Sequence, residues 1–299
     1  MPPREYKKAQ TLSGLRFTIV LEAWMGTLYI CGTPIGNLED ISARALRVLR
    51  EVDCVAAEDT RHTLKLLSHY GRKTPLTSYH EHNKREKGPD LLRQLSQGRN
   101  IALVTDAGMP CISDPGMDLV KLCHDSGIPV VSVPGPSAVI TALALSGMDT
   151  RRFAFEGFLP RERKKRREIL DELRGETRTI VLYEAPHHLK ETLTSLAEAL
   201  GNRPAALARE LTKAYEEVER ADLDDLAAMF ADKEPIGEYV IIINAREREE
   251  KPKNSGIPVE ELVEGYIGEG FTEMEAIKKA AKDTGVGKRE VYRAVKLSD

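Results

Sequence analysis

Two stretches carry side-chain types that do chemistry at spacings a plain turn does not need. VAAEDTRHT (55–63) ends an apolar run in Glu58, Asp59 and Arg61, two carboxylates and a guanidinium at one strand mouth. A helix cap uses one such carboxylate, so the second and the arginine are in excess of capping. IALVTDAGMPCISDPG (101–116) runs from four apolar residues into aspartates, glycines and prolines. Gly108 lets main chain approach a ligand, Pro110 and Pro115 stiffen the loop, and Gly116 ends it. VPGPSAVITAL (133–143) repeats the device, with Ser137 placed to cap a helix. Two stiff loops after neighbouring strands predict a pocket for a flat, polar small molecule.

Other chemistries are excluded or weak. CGTPIGNLED (31–40) is neither G-x-G-x-x-G nor G-x-x-x-x-G-K-[ST], so no dinucleotide fingerprint or P-loop is present; Asn37 or Asp40 is placed to cap a helix there. No G-x-S-x-G, H-E-x-x-H or kinase signature occurs. In SYHEHNKRE (78–86) His80 and His82 would share a face of an extended strand, but no Cys/His cluster accompanies them and no metal is expected. Cys31, Cys54, Cys111 and Cys123 lack C-x-x-C spacing and read as reduced thiols rather than disulfides or zinc ligands.

These residues need elements to hold them. Strands are expected at Thr27–Thr33, Asp53–Glu58, Ile101–Asp106, Val130–Val133, Phe153–Phe158, Thr179–Ala185, Ala205–Leu211 and Tyr239–Asn244. Amphipathic stretches such as ISARALRVLREV and GPDLLRQLSQG lie between them, which predicts α/β architecture with largely parallel sheets. The unbroken runs IALV, TIVLY and YVIII suit sheets covered on both faces. The organisation expected is an extension over 1–24, α/β lobes over 25–150 and 151–247, a charged linker over 248–256, and a small helical domain over 257–299. The apolar patch Phe17–Leu21 is too short for a secretory signal and no run approaches a membrane span, so cytoplasmic residence is expected. With 41% apolar and 30% charged residues and a net charge of −3, the chain is globular and cannot hold nucleic acid by bulk charge. Any such contact must be local. The basic candidates are RERKKRR (161–167), His80–Arg85, and the terminal helix with Lys288, Arg289, Arg293 and Lys296.

In order, GTPIGNLEDIS, AAEDTRHT, DAGMPCISDPG, VPGPSA, EGFLP, YEAPHHL and ARELTK resemble the ribosomal RNA small subunit methyltransferase I family, a branch of the tetrapyrrole-methylase-fold (class III) methyltransferases. The similarity spans about 26–245. It implies a two-lobed tetrapyrrole-methylase-like fold with S-adenosylmethionine in the cleft between the lobes. It also implies 2′-O-methylation of a cytidine ribose in the decoding centre of 16S ribosomal RNA by a homodimer. The cofactor contacts implied are Pro34, Ala107, Gly108, Met109, Ile112, Ser137, Ala138, Tyr183, Glu184 and Leu211. Two departures bear on the site: Met109 stands where the family commonly has Thr, and His188 where it commonly has Arg.

A ribose hydroxyl is a poor nucleophile until its proton is shared with a base. Asp59 and Glu58 are the first candidates, with Arg61 orienting a carboxylate or a phosphate. Arg209, Glu210 and Lys213 come second, since a lysine also stabilises a developing alkoxide. RNA contacts are expected from Arg163, Lys164, Lys165, Arg166, Arg167, Lys288 and Arg289. One rival is a tetrapyrrole C-methyltransferase, whose loops usually read G-x-G-P-G-D and G-D-P where this chain has GTPIGN and AGMP. Another is a DNA-binding regulator using the helix–Gly–helix pattern of FTEMEAIKKAAKDTGVGKREVYRAVK.

Overall fold

A computed structural model describes residues 25–246 and 258–297; the expected extension over 1–24 and linker over 248–256 lie outside the described residues. The chain divides after Ala245 into two compact units. In the first, β1 (Leu28–Cys31), β2 (Cys54–Ala57), β3 (Leu76–Ser78), β4 (Ile101–Val104) and β5 (Val130–Val133) form a sheet in the order β3-β2-β4-β1-β5, with every pairing parallel. Both faces are covered, as IALV foretold. Leu28, Ile30 and Leu103 pack on α3 (Lys84–Ser96) and α4 (Gly116–Asp125). Cys31, Val55 and Val104 pack on α1 (Ala43–Glu51) and α2 (Thr60–His69).

The second sheet, β6 (Phe153–Phe158), β7 (Thr179–Glu184), β8 (Pro204–Arg209), β9 (Glu217–Asp222) and β10 (Tyr239–Ile243), runs β6-β7-β10-β8-β9. Only β6 and β7 are parallel; the other three pairings are antiparallel, which corrects the expectation of largely parallel sheets. An unbroken run such as YVIII reports burial on both faces, and here both faces are buried whatever the strand direction. On one face lie α6 (Arg163–Leu173), α7 (Pro186–Leu200) and α8 (Leu223–Ala231). On the other lies α5 (Ala138–Ser146), whose Val139, Ala142 and Leu143 pack on Val181, Ala206, Val240 and Ile242. Because α5 follows β5 of the first sheet and packs on the second, it ties the two lobes into one body.

Two strands were not expected. β3 is only three residues long, and β9 reads EVERAD on a sheet edge, where charged side chains protect the open ladder. Caps are also redistributed. Asn37 Oδ1 accepts from Glu39 N at 3.0 Å over a short 3-10 turn (Leu38–Asp40), while Ser42 Oγ caps α1 through Ala45 N at 3.0 Å. Ser137 precedes α5 without a side-chain cap bond.

The second unit is a three-helix domain, α9 (Val259–Gly268), α10 (Glu273–Thr284) and α11 (Lys288–Leu297), around Val263, Ala276, Ile277, Ala280 and Val291. Thr272 and Glu275 form a capping box, and Gly285 at φ +71° stops α10, producing the helix–Gly–helix pattern. Among the described residues no helix is long and apolar enough to cross a membrane.

Candidate functional site

The carboxyl ends of β1, β2, β4 and β5 all open on one side of the first sheet, where open α/β sheets bind ligands. Their loops are locked together before any ligand arrives. Thr33 and Gly108 exchange main-chain bonds, Thr33 N to Gly108 O at 2.9 Å and Gly108 N to Thr33 O at 3.1 Å, bridging the β1 and β4 loops. Gly32 and Gly135 press main chain against main chain; a Cβ on Gly32 would stand 2.6 Å from Gly135 Cα. Gly36 makes the same close approach to the other lobe, where a Cβ would meet Leu211 O at 2.6 Å and Lys213 Cγ at 2.7 Å.

Between these loops and the second sheet lies a cleft of about 510 Å³. Eight of the ten expected cofactor residues line it: Ala107, Gly108, Met109, Ile112, Ser137, Ala138, Tyr183 and Leu211. Pro34 is buried beside the lining residue Ile35. Glu184 is a correction: its carboxylate turns away from the cleft, accepting from Ala185 N at 2.8 Å and from Thr192 Oγ1 at 2.5 Å. Alternation along β7 explains this, since Tyr183 and Glu184 must point to opposite faces.

Among the described residues, four non-glycine residues adopt left-handed backbone: Cys111 (φ 73°), Ser113 (62°), Glu210 (51°) and Thr212 (65°). All four belong to the 105–116 and 210–213 loops that form the cleft walls. Such conformations concentrate where a site over-determines its main chain. Asp114 supports the first loop by accepting from Cys111 N at 2.8 Å and Gly116 N at 2.7 Å. Burial pushes the Cys111 thiol up to about 12, which keeps it un-ionised at neutral pH.

The carboxylate pair separates into two roles. Glu58 lines the cleft and accepts from Thr105 Oγ1 at 2.6 Å. Asp59 caps α2 by accepting from Arg61 N at 2.8 Å and also accepts from Arg61 Nε and Nη2, at 3.1 and 2.8 Å. Those side-chain bonds, then the main-chain bond, hold its carboxyl well below the usual carboxylate range. Asp59 is thus engaged by the α2 cap and by Arg61, and of the two expected carboxylates it is Glu58 that lines the cleft. Lys213 lines the cleft with Nζ 2.9 Å from Glu210 Oε1.

Asp106 lines the same cleft but was not singled out. It accepts from Asp59 N at 3.1 Å, and burial first, then the neighbouring Glu58 charge, raises its carboxyl above the ordinary range. Its signal was present in T-D-A-G immediately after a strand, overshadowed by the glycine and prolines that follow.

On α6, Arg163, Lys164, Lys165 and Arg167 are exposed. Arg166 is not: it is 9% exposed, and its Nη2 donates to Thr192 Oγ1 at 2.9 Å. It is therefore a buried structural arginine and not a surface RNA contact. The period of α6 accounts for it, because 166, 170 and 173 share the face that packs on the sheet. Lys288 and Arg289 are exposed on α11 of the second unit. His80 and His82 follow β3 in a turn, rings 6.0 Å apart, so they are not two steps along a strand. Among the described residues no group of three His, Cys, Asp or Glu could hold a metal.

Comparison with known proteins agrees with this fold. The model of the Tetrapyrrole (Corrin/Porphyrin) Methylases matches residues 27–227. The ribosomal RNA small subunit methyltransferase I of Halalkalibacterium halodurans is 48% identical over 271 residues, 89% of this chain and 93% of the relative. That of Bacillus subtilis is 47% identical over 274 residues, covering 90% and 94%. A crystal structure of uroporphyrin-III C-methyltransferase from Thermus thermophilus complexed with S-adenyl homocysteine superposes with a TM-score of 0.53 at 21% identity, over 73% of this chain and 97% of that one.

Proposed function

Since the chain belongs to the ribosomal RNA small subunit methyltransferase I family, within the tetrapyrrole methylases, we propose that it transfers a methyl group from S-adenosylmethionine to the 2′-hydroxyl of a cytidine ribose in the decoding centre of 16S ribosomal RNA. The observation that carries the reading is the inter-lobe cleft, in which Glu58 and the left-handed 105–116 loop share one cavity with Tyr183 and Leu211. A volume of about 510 Å³ suits a small-molecule cofactor. Gly108, at φ +84°, has Ile35 and Pro136 near where a Cβ would stand, so glycine there lets the three loops of the wall close on one another. Apolar Met109 and Leu211 with the carboxylates Asp106 and Glu58 fit a molecule that is part apolar and part cationic.

Ala107, Gly108, Met109, Ser137, Ala138, Tyr183 and Leu211 would hold the cofactor. Bound there, it supplies a methyl group on an already activated sulfonium, so positioning accounts for much of the acceleration. Glu58 takes the hydroxyl proton. Thr105 Oγ1 fixes one oxygen of this cleft-lining carboxylate. Asp106, raised by burial, is a second proton acceptor in the same cavity. Lys213 stabilises the oxygen as its charge develops, with Glu210 holding Nζ in place.

RNA would be gripped electrostatically by Arg163, Lys164, Lys165 and Arg167 on the first unit and by Lys288 and Arg289 on the second. A homodimer in the cytoplasm completes the proposal. Incubation with labelled cofactor and small subunits lacking ribose methylation tests it, with the product mapped by methylation-sensitive cleavage. Label at one decoding-centre cytidine supports the reading. Cofactor binding with no label in RNA replaces it with the tetrapyrrole C-methyltransferase alternative.

A further inference from the structure

The lip of the cleft carries an aromatic ring that none of the steps above uses. Phe158 ends β6, lines the cleft and is 50% exposed. It reaches that place through a bulge. Phe155 pairs with Val181, but the next pairing is Gly157 with Leu182, so Glu156 is an extra residue. In a regular strand, residues 155 and 158 point to opposite faces. One inserted residue cancels a step, and Phe158 falls on the face of Phe155 and Tyr183 instead of the face covered by α6. The three rings then meet, Tyr183 lying 5.0 Å from Phe155 and 5.4 Å from Phe158. Gly157 sits at φ +64° with a Cβ position 3.0 Å from Ser113 Oγ, so the bulge also presses against the 105–116 loop. A bulge that moves a phenylalanine out of a core and leaves it half in water calls for a ligand to cover it.

Tyr183 is the inner, less exposed ring of this cluster, whereas Phe158 stands at the outer lip. A ribose hydroxyl enters such a cleft only when its nucleotide leaves the helical stack, and the freed base then seeks another π-face. We propose that Phe158 is the platform on which the nucleobase of the methylated nucleotide stacks, a specificity-determining residue for nucleic acid. The proposal rests on the RNA reading given above.

The test compares Phe158→Ala, Phe158→Leu and Phe158→Tyr in the full chain. The readouts are kcat/KM for small subunits and, by calorimetry, affinity for S-adenosylhomocysteine. Phe158→Ala should lower kcat/KM by about 5- to 150-fold, the range to which base–aromatic stacking of ~1–3 kcal/mol corresponds. Phe158→Leu, which keeps apolar volume without a π-face, should stay low, and Phe158→Tyr should recover. Affinity for S-adenosylhomocysteine should not move in any variant. A loss of that affinity assigns the ring to the cofactor and overturns the proposal, as does a Leu variant equal to wild type. Failure of the wild-type chain to label RNA overturns the RNA reading and the platform together, whereas normal labelling by Phe158→Ala overturns the platform alone.

Discussion

The contact of Gly32 with Gly135 gives a steric test of the cleft. An alanine at 32 places Cβ 2.6 Å from Gly135 Cα and 2.8 Å from Met109 Sδ. Carbon atoms rest at ~3.5–4.0 Å, so the 134–137 loop must retreat by about 1 Å. Gly32 is not in the left-handed region, so alanine adopts its backbone and the penalty is purely one of space. Overpacking of this kind costs ~1–3 kcal/mol. The retreat carries Ser137 and Ala138, two lining residues, away from Met109. Misplacement of positioning groups by ~1 Å lowers rate by roughly 100-fold. Gly32→Ala should therefore lose about two orders of magnitude in methyl transfer and much of its affinity for S-adenosylhomocysteine, while still unfolding cooperatively with a modestly lower Tm. Gly175→Ala is the control, since the nearest atom to its Cβ position is 4.0 Å away. Transfer assays, calorimetry and thermal melts on both variants decide the matter. Wild-type turnover and affinity in Gly32→Ala would refute the idea that the two loops must touch for the cleft to form.

Other outcomes follow from the same geometry. Glu58→Gln should reduce kcat by ~10²- to 10⁴-fold with cofactor binding intact, and Asp59→Asn should leave turnover close to normal; the reverse ranking in single-turnover assays would restore Asp59 as the base. Arg166→Met removes the buried donor to Thr192 Oγ1 and should cost about 1–3 kcal/mol in urea unfolding. Charge reversal at Arg163, Lys164 and Arg167 should instead flatten the salt dependence of RNA binding, and an unchanged slope removes α6 from the RNA track. Glu176, held at about 2 by Arg178, adds stability that is complete above its ordinary 4.5 and is lost as pH falls toward 2. Asp106 has the opposite sign: its raised carboxyl favours the fold at acid pH, and that contribution is lost as pH rises through its folded value. Its ionisation should add an inflection to the acid limb of kcat/KM above the ordinary carboxylate range, and Asp106→Asn should remove that inflection.

The parts of this molecule legible in its sequence are those set by local chemistry. Val130–Val133 and Phe153–Phe158 were delimited to the residue because turn residues bracket short apolar runs. Most lining residues of the cleft came from family motifs that occupy strand ends. What escaped depends on partners distant in the chain. Strand direction in the second sheet is decided by which neighbour each strand meets, and YVIII is equally apolar beside either. β9 looks like loop because its polar side chains suit an edge. Arg166 reads as one of six basic residues in seven, and only packing on Thr192 distinguishes it. Asp59 and Glu58 are adjacent and chemically alike, yet one meets Arg61 and the other Thr105.

The left-handed residues of the two cleft loops make this enzyme a candidate for a trade between durability and activity. Each non-glycine residue in that conformation costs roughly 1–2 kcal/mol, and Cys111, Ser113, Glu210 and Thr212 all sit there. Replacing Ser113 or Thr212 by glycine relieves that cost, offset in part by the extra freedom glycine gives the unfolded chain. A library selected for heat resistance should collect changes in these loops, and the same library selected for methyl transfer should discard them. Thermostable variants that retain activity should come from elsewhere: the surface of the second sheet's helices, or the three-helix unit.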